Sequence, residues 1–178
     1  MTPLRRGLLV AGLGVLALGS GVIAQLWRLG VLGGDADATA GEAILAHRYQ
    51  GLDGQPAQLD QLRGQVLIVN FWATWCEPCR EEIPMFIRLR REYAGKNVEF
   101  VGISIDQASK VIDFAKEFRI DYPLVLAGIE AVELSRLAGN KAGVLPYTAI
   151  LDRKGRLAGR LLGKVTEQDL RQSINPLI

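Results

Sequence analysis

Apolar positions along this chain fall into two rhythms, and their order outlines the domain. Val66 to Phe71 is an apolar, β-branched run of strand length bounded upstream by Gly64, and reads as a buried strand. From Arg80 to about Ala94 the spacing changes: Ile83, Phe86, Ile87, Leu89 and Tyr93 recur at i, i+3 and i+4, which predicts a helix. A second buried strand is expected over Val98 to Ile105. A helix should follow over Gln107 to Phe118, with Val111, Ile112, Ala115 and Phe118 on one face. Asp121-Tyr122-Pro123 turns the chain into a short strand, Leu124 to Leu126. Glu130 to Ala138 then reads as a helix carrying Val132, Leu134 and Leu137 and ending near Gly139-Asn140. Tyr147 to Leu151 and Arg156 to Leu162 flank the turn Asp152-Arg153-Lys154-Gly155 as a hairpin. Thr166 to Ile174 closes the chain as a helix, with Thr166 as N-cap and Asp169 three residues on.

Upstream the pattern is weaker. Ile44 to Tyr49 is expected as a short strand, followed by an Asp53-Gly54 turn and a helical turn over Leu59 to Leu62. His47, on this edge, is expected to be exposed. Gly30 to Gly41, rich in Gly, Ala, Asp and Thr and without periodicity, reads as a flexible tether, so that 30–43 is a linker and 44–178 the domain.

The N-terminus is different again. No charged residue falls between Gly7 and Trp27, and a helix of that length spans roughly 30 Å, about the thickness of a hydrocarbon core. Arg5 and Arg6 precede the run and Trp27 closes it, which fits positive-inside orientation with an interfacial aromatic residue. Residues 1–29 are therefore expected to be a cytoplasmic tip and a single membrane-spanning anchor in contact with lipid. A cleavable signal peptide is the competing reading. Its apolar core runs about 7–15 residues, shorter than this one, and the small-residue candidates Ala36 to Ala38 and Ala38 to Ala40 lie far downstream. Five glycines weaken the run as an anchor. On either reading the remainder leaves the cytoplasm, and the expected location is the periplasmic side of the inner membrane.

Composition changes the picture in two respects. With 178 residues and 49% hydrophobic, the chain beyond the N-terminal run is the size of one ordinary domain. Of the 21 basic residues, Arg5, Arg6 and Arg28 flank the apolar run, leaving 18 against 19 acidic residues. No basic stripe interleaved with aromatics remains, so nucleic acid is not an expected partner.

Two cysteines are the whole thiol inventory, and they sit at the junction of the central strand and helix as Cys76-Glu77-Pro78-Cys79. A helix N-terminus offers unpaired N–H groups and the positive end of the macrodipole, so a thiolate placed there is stabilised. A structural zinc site has the same spacing but needs four ligands, and His47 is the only histidine. A purely structural disulfide closing so small a loop is a weak staple. A redox pair is the expected use. Cys76, at the helix start, should be the exposed nucleophile and Cys79, one turn on, the buried resolving thiol. Glu77 and Pro78 tune the pair: Pro78 suits the first helical turn, and an acid beside the thiolate opposes its ionisation.

The stretch Asn70-Phe71-Trp72-Ala73-Thr74-Trp75-Cys76-Glu77-Pro78-Cys79-Arg80-Glu81-Glu82-Ile83-Pro84 resembles the TlpA/ResA family of membrane-anchored, thioredoxin-like thiol–disulfide oxidoreductases. The similarity runs from about Ala46 to the C-terminus. It implies a thioredoxin-like α/β fold, a central mixed sheet flanked by helices, which is also the order of the elements above. It implies proton handling by Glu82, otherwise a solvated helix carboxylate, and a cis-proline at Pro146 facing the dithiol. Many relatives carry Gly-x-Pro around that proline, whereas here Val144-Leu145 separate Gly143 from it; bulky Leu145, together with Trp75, is expected to contact substrate, and Trp72 is expected to be packing. Pro84 should kink the helix. The implied activity is reduction of disulfides in specific partner proteins, such as cytochrome c haem-attachment cysteines or copper-site proteins of an oxidase. Electrons would come from a membrane thiol carrier, with no cofactor, the protein acting as a monomer.

Two other functions compete. A peroxiredoxin-type peroxidase expects Thr or Ser three positions before its cysteine, where this chain has Ala73. A copper chaperone would use the same two soft thiolates, but a third ligand is not evident.

Overall fold

A computed structural model of the chain describes residues 36–178, so the expected anchor and the start of the tether lie outside the described residues. The elements are α1 (Ala36–Ala46), β1 (Tyr49–Gly51), β2 (Pro56–Ala57), a 3-10 turn (Asp60–Leu62), β3 (Val66–Trp72) and α2 (Glu77–Glu92). They continue with β4 (Val98–Ser104), α3 (Ala108–Phe118), β5 (Leu124–Leu126), α4 (Glu130–Leu137), β6 (Tyr147–Leu151), β7 (Leu157–Leu162) and α5 (Glu167–Ile174), ending in a 3-10 turn over Asn175–Leu177.

Seven strands form one mixed sheet in the order β2-β1-β5-β4-β3-β6-β7. β3 lies parallel to β4 and antiparallel to β6, so its backbone is paired on both edges. Both of its faces are covered as well, and all seven of its residues are buried, hence an apolar run rather than an alternating one. Val66, Ile68 and Trp72 join the core beneath α2, α3 and α5. Leu67, Val69 and Phe71 join the one beneath α1 and α4. This is the thioredoxin-like architecture expected from the element order.

α2 is seated chiefly by its apolar face. Ile83, Phe86, Ile87 and Leu89 are buried, each contributing about 1.5–3 kcal/mol. Arg90 adds a two-pronged contact to Glu99 at 2.6 and 2.9 Å, and Arg91 reaches Asp121 at 2.7 Å. The helix starts at Glu77, a turn earlier than the periodicity indicated, because Cys76 takes an extended N-cap backbone and Pro78 falls in the first turn. Helical structure continues through Pro84, which sits on the exposed face, where water can reach the Arg80 carbonyl left without its donor.

Three expectations fail here. Residues 36–46 form a helix, so 36–43 are not a loose tether and Ile44 to Ala46 are not strand. Alanines favour helix, and Ala40, Gly41, Ile44 and Leu45 form a buried stripe that docks it, a short pattern hidden by the Gly, Asp and Thr around it. Leu137 is exposed, because α4 turns Ala131, Leu134 and Ser135 inward instead. His47 is half-buried: its ring packs edge-on to Tyr49 at 4.7 Å and its Nε2 lies 3.3 Å from a Glu130 carboxylate oxygen.

The last helix follows the sequence signal. Asp169 N donates to Thr166 Oγ1 at 3.2 Å, and Thr166 N donates back to an Asp169 carboxylate oxygen at 2.9 Å, a reciprocal cap.

Candidate active site

The dithiol emerges where β3 ends. The backbone leaves Trp72, crosses Ala73 to Trp75 and enters α2 at Cys76, whose N–H donates to Ala73 O at 3.2 Å. Cys76 and Cys79 are joined as a disulfide, with their Cα atoms 5.3 Å apart. Cys76 is less exposed than its expected role as an open nucleophile implied. It keeps only 6% exposure, packed into the core cluster beneath α2, while Cys79 has 0%. The asymmetry between them survives: Cys76 keeps slight exposure and Cys79 none. Glu77 and Pro78 between them are exposed. Trp75 projects with 64% exposure, whereas Trp72 is buried against Phe114, ring centroids 5.2 Å apart.

The loop is clamped from β4's side by a residue that sequence reasoning passed over. One Asp106 carboxylate oxygen accepts from both Thr74 N at 2.7 Å and Thr74 Oγ1 at 2.8 Å. Asp106 N in turn donates to Ser104 Oγ at 3.1 Å. Just past Cys79, the Arg80 guanidinium lies over the stacked Phe114 and Phe118 rings, 5.7 and 5.8 Å from their centroids. Such an exposed cation–π contact is worth about 0.5–1 kcal/mol and directs the charge toward α3.

Pro146 arrives from the other side. β6 runs antiparallel to β3 with Phe71 opposite Tyr147, so Pro146 stands next to the end of β3 from which the cysteine loop departs. The Leu145–Pro146 bond is cis. Pro146 O accepts from Gly163 N at 3.0 Å, and Leu145 is half-buried against both cores. Asn140 braces the approach: its side chain donates to Val144 O at 2.9 Å and accepts from Val144 N at 3.2 Å. No sequence signal marked it.

Glu82 is the clearest surprise in environment. On a helix surface a glutamate is ordinarily solvated, yet this one is 1% exposed, on the face of α2 it shares with Cys79. One carboxylate oxygen accepts from Asn70 Nδ2 at 2.8 Å and the other from Val165 N at 3.1 Å. Burial pushes its pKa up to about 7, against these two hydrogen bonds and the nearby Lys164 charge, which pull it down. Lys164 itself pairs with the neighbouring Glu81. Among the described residues, no three His, Cys, Asp or Glu side chains gather in a way that would hold a metal ion.

A Cys-x-x-Cys disulfide at the start of the helix after the central strand, faced by a cis-proline and backed by a buried carboxyl, defines a class: a thiol–disulfide oxidoreductase with a thioredoxin-like fold. The chain belongs to the AhpC/TSA family, which it matches over residues 40–160. It is similar to the thiol-disulfide oxidoreductase ResA of Bacillus cereus, 28% identical over 130 residues that cover 70% of this chain and 72% of that protein. It is also similar to the thioredoxin-like protein YneN of Bacillus subtilis, 32% identical over 130 residues covering 70% of this chain and 72% of that protein. Among solved structures it is similar to a secreted thiol-disulfide isomerase from Corynebacterium glutamicum. That likeness has a TM-score of 0.66 at 30% identity, over 74% of this chain and 83% of that one.

Proposed function

We propose that this protein is a membrane-tethered reductase of disulfides in specific partner proteins, its domain facing the periplasm. The observation that carries the redox reading is the Cys76–Cys79 disulfide at the N-terminus of α2, Cys76 retaining slight exposure and Cys79 none. In the reduced protein the Cys76 thiolate attacks one sulfur of the partner's disulfide, forming a mixed disulfide and expelling the other sulfur as a thiolate. Cys79, giving up its proton, then attacks the Cys76 sulfur, which restores the Cys76–Cys79 bond and releases the second partner thiolate. Two electrons have moved to the partner. Glu82, three residues after Cys79 and titrating near neutrality, is the base for that proton.

The direction follows from electrostatics. An oxidant draws its power from a very stable thiolate, whereas here the helix N-terminus stabilises the Cys76 thiolate and the carboxylates of Glu77 and Glu82 oppose it. A reducing potential is expected, nearer thioredoxin's about −270 mV than the roughly −120 mV of a strong oxidant. Trp75 and Leu145, adjoining Cys76 and Pro146 along the chain, supply the apolar contact for the partner chain. The relatives' names, thiol-disulfide oxidoreductase among them, support the reaction class. The resemblance to TlpA/ResA proteins adds the partners: cytochrome c haem-attachment cysteines or copper-site proteins of an oxidase, with a membrane thiol carrier as electron source. Support for the anchor is the uncharged Gly7–Trp27 run behind Arg5 and Arg6.

The test is the Cys76–Cys79 potential measured in a glutathione or dithiothreitol series. A value more oxidising than about −150 mV would make the protein a disulfide donor and end the reductase reading. Membrane fractionation checks the tether, and a mature N-terminus beginning near Thr39 or Gly41 would overturn it.

A further inference from the structure

β3 carries one polar side chain, Asn70, between Ile68 and Trp72 on the face that α2 covers. Its partner in register on β6 is Thr148, which is also buried. The amide spends both of its N–H donors here: Nδ2 reaches Glu82 at 2.8 Å and Thr148 Oγ1 at 3.1 Å. Its oxygen, Oδ1, is buried with no hydrogen-bond partner. A buried, unpaired acceptor is costly, and turning the amide over would bring that oxygen against Glu82 and the Thr148 hydroxyl. The Thr148 hydroxyl could still donate to it, but Glu82 could do so only when protonated. The orientation seen is therefore the one that answers an ionised carboxylate.

We propose that Asn70 is the positioning residue of Glu82, holding its carboxyl between the dithiol helix and β3 while Thr148, its partner across the sheet, holds the amide. The inference rests on Glu82 serving the dithiol. Both side-chain and backbone partners of the carboxylate, Asn70 and Val165, are donors, so together they favour the charged form that burial disfavours. The other groups facing Glu82 are Cys79 on its own helix, Lys164 on the loop after β7 and the buried Tyr122 phenol before β5. Lys164 is engaged with Glu81, and burial holds Tyr122 far above neutrality, so neither replaces the amide. Asn70 acts at one remove from the reacting sulfurs. It decides where the proton acceptor sits and how readily it lets a proton go.

The test follows the protonated-carboxyl infrared band of the purified full chain as pH is varied, with Glu82→Gln assigning the band. In the parent protein the band should disappear with a midpoint near neutrality. Asn70→Ala removes a donor to a charged group and should move that midpoint upward by about one pH unit. The pH profile of Cys79-dependent mixed-disulfide resolution should move with it. Asn70→Ser, which leaves a smaller hole, and Thr148→Val, which frees the amide, should shift both readouts the same way by less. If Glu82→Gln removes the band but the midpoint stays put in all three variants, Asn70 does not position the carboxyl. If Glu82→Gln leaves the near-neutral band in place, the reading of Glu82 itself fails, and this inference falls with it.

Discussion

Thr74 gives both its backbone N–H and its hydroxyl to a single oxygen of Asp106, at 2.7 and 2.8 Å. The contact joins the loop that ends at Cys76 to the residues following β4, so the position of Cys76 is set from beside a neighbouring strand. Asp106→Ala should loosen that loop and lower the effective concentration of Cys76 toward Cys79 about tenfold. In a glutathione equilibrium this reads as a potential roughly 30 mV less negative. Asp106→Asn keeps an oxygen for both donors and should recover most of the parent value. An unchanged potential in the alanine variant would show that the clamp does not reach the chemistry.

Glu82 links the site to pH. Its pKa is about 7 in the folded chain against an ordinary 4.5, so the native state keeps a proton that the unfolded chain releases. Its contribution is neutral below 4.5, and stability then falls as pH rises toward 7, by about 3 kcal/mol in all. Denaturant titrations of the oxidised protein at pH 5 and pH 8 should show this loss, and Glu82→Gln should flatten it. The surface carboxylates Glu167, Glu92 and Asp169 are held below their usual range by Arg88, Arg171 and Thr166. They act in a more acidic window and leave the test clean.

The two sulfurs should behave differently when separated. Cys79→Ala keeps the attacking thiol and loses its resolver, so mixed disulfides with partner proteins should accumulate through Cys76. Cys76→Ala leaves a fully enclosed thiol and should trap little. Non-reducing gels of cell extracts give the comparison, and equal trapping by both variants would reverse the assignment.

Gly41 lies in a helix, where alanine ordinarily gains about 1 kcal/mol over glycine. A Cβ there would come within 1.8 Å of the Gly155 carbonyl oxygen in the β6–β7 turn, a backbone atom with nowhere to go. Overpacking of about 1–3 kcal/mol or more should therefore win, and Gly41→Ala should destabilise the domain in chemical denaturation. A stabilised variant would mean that α1 is not docked as described.

What the sequence determined alone was local. Cys-x-x-Cys at a strand-to-helix junction, the buried β3 run, the helix period of α2 and the Thr166–Asp169 cap are patterns within a few residues, where propensity and spacing act directly. The tertiary structure decided what depends on distant partners and on exclusion of water. Glu82 looked like a surface acid because helical spacing cannot say that Val165 and Asn70 will close over it, and desolvation alone moves it toward neutrality. Asn70 with Thr148, 78 residues apart, and Thr74 with Asp106, 32 apart, meet only through strand register. α1 was missed for the same reason: its stripe of Ala40, Gly41, Ile44 and Leu45 is too small to show a period, and it holds because a hairpin 114 residues further on, at Gly155, leaves room for a glycine and no more.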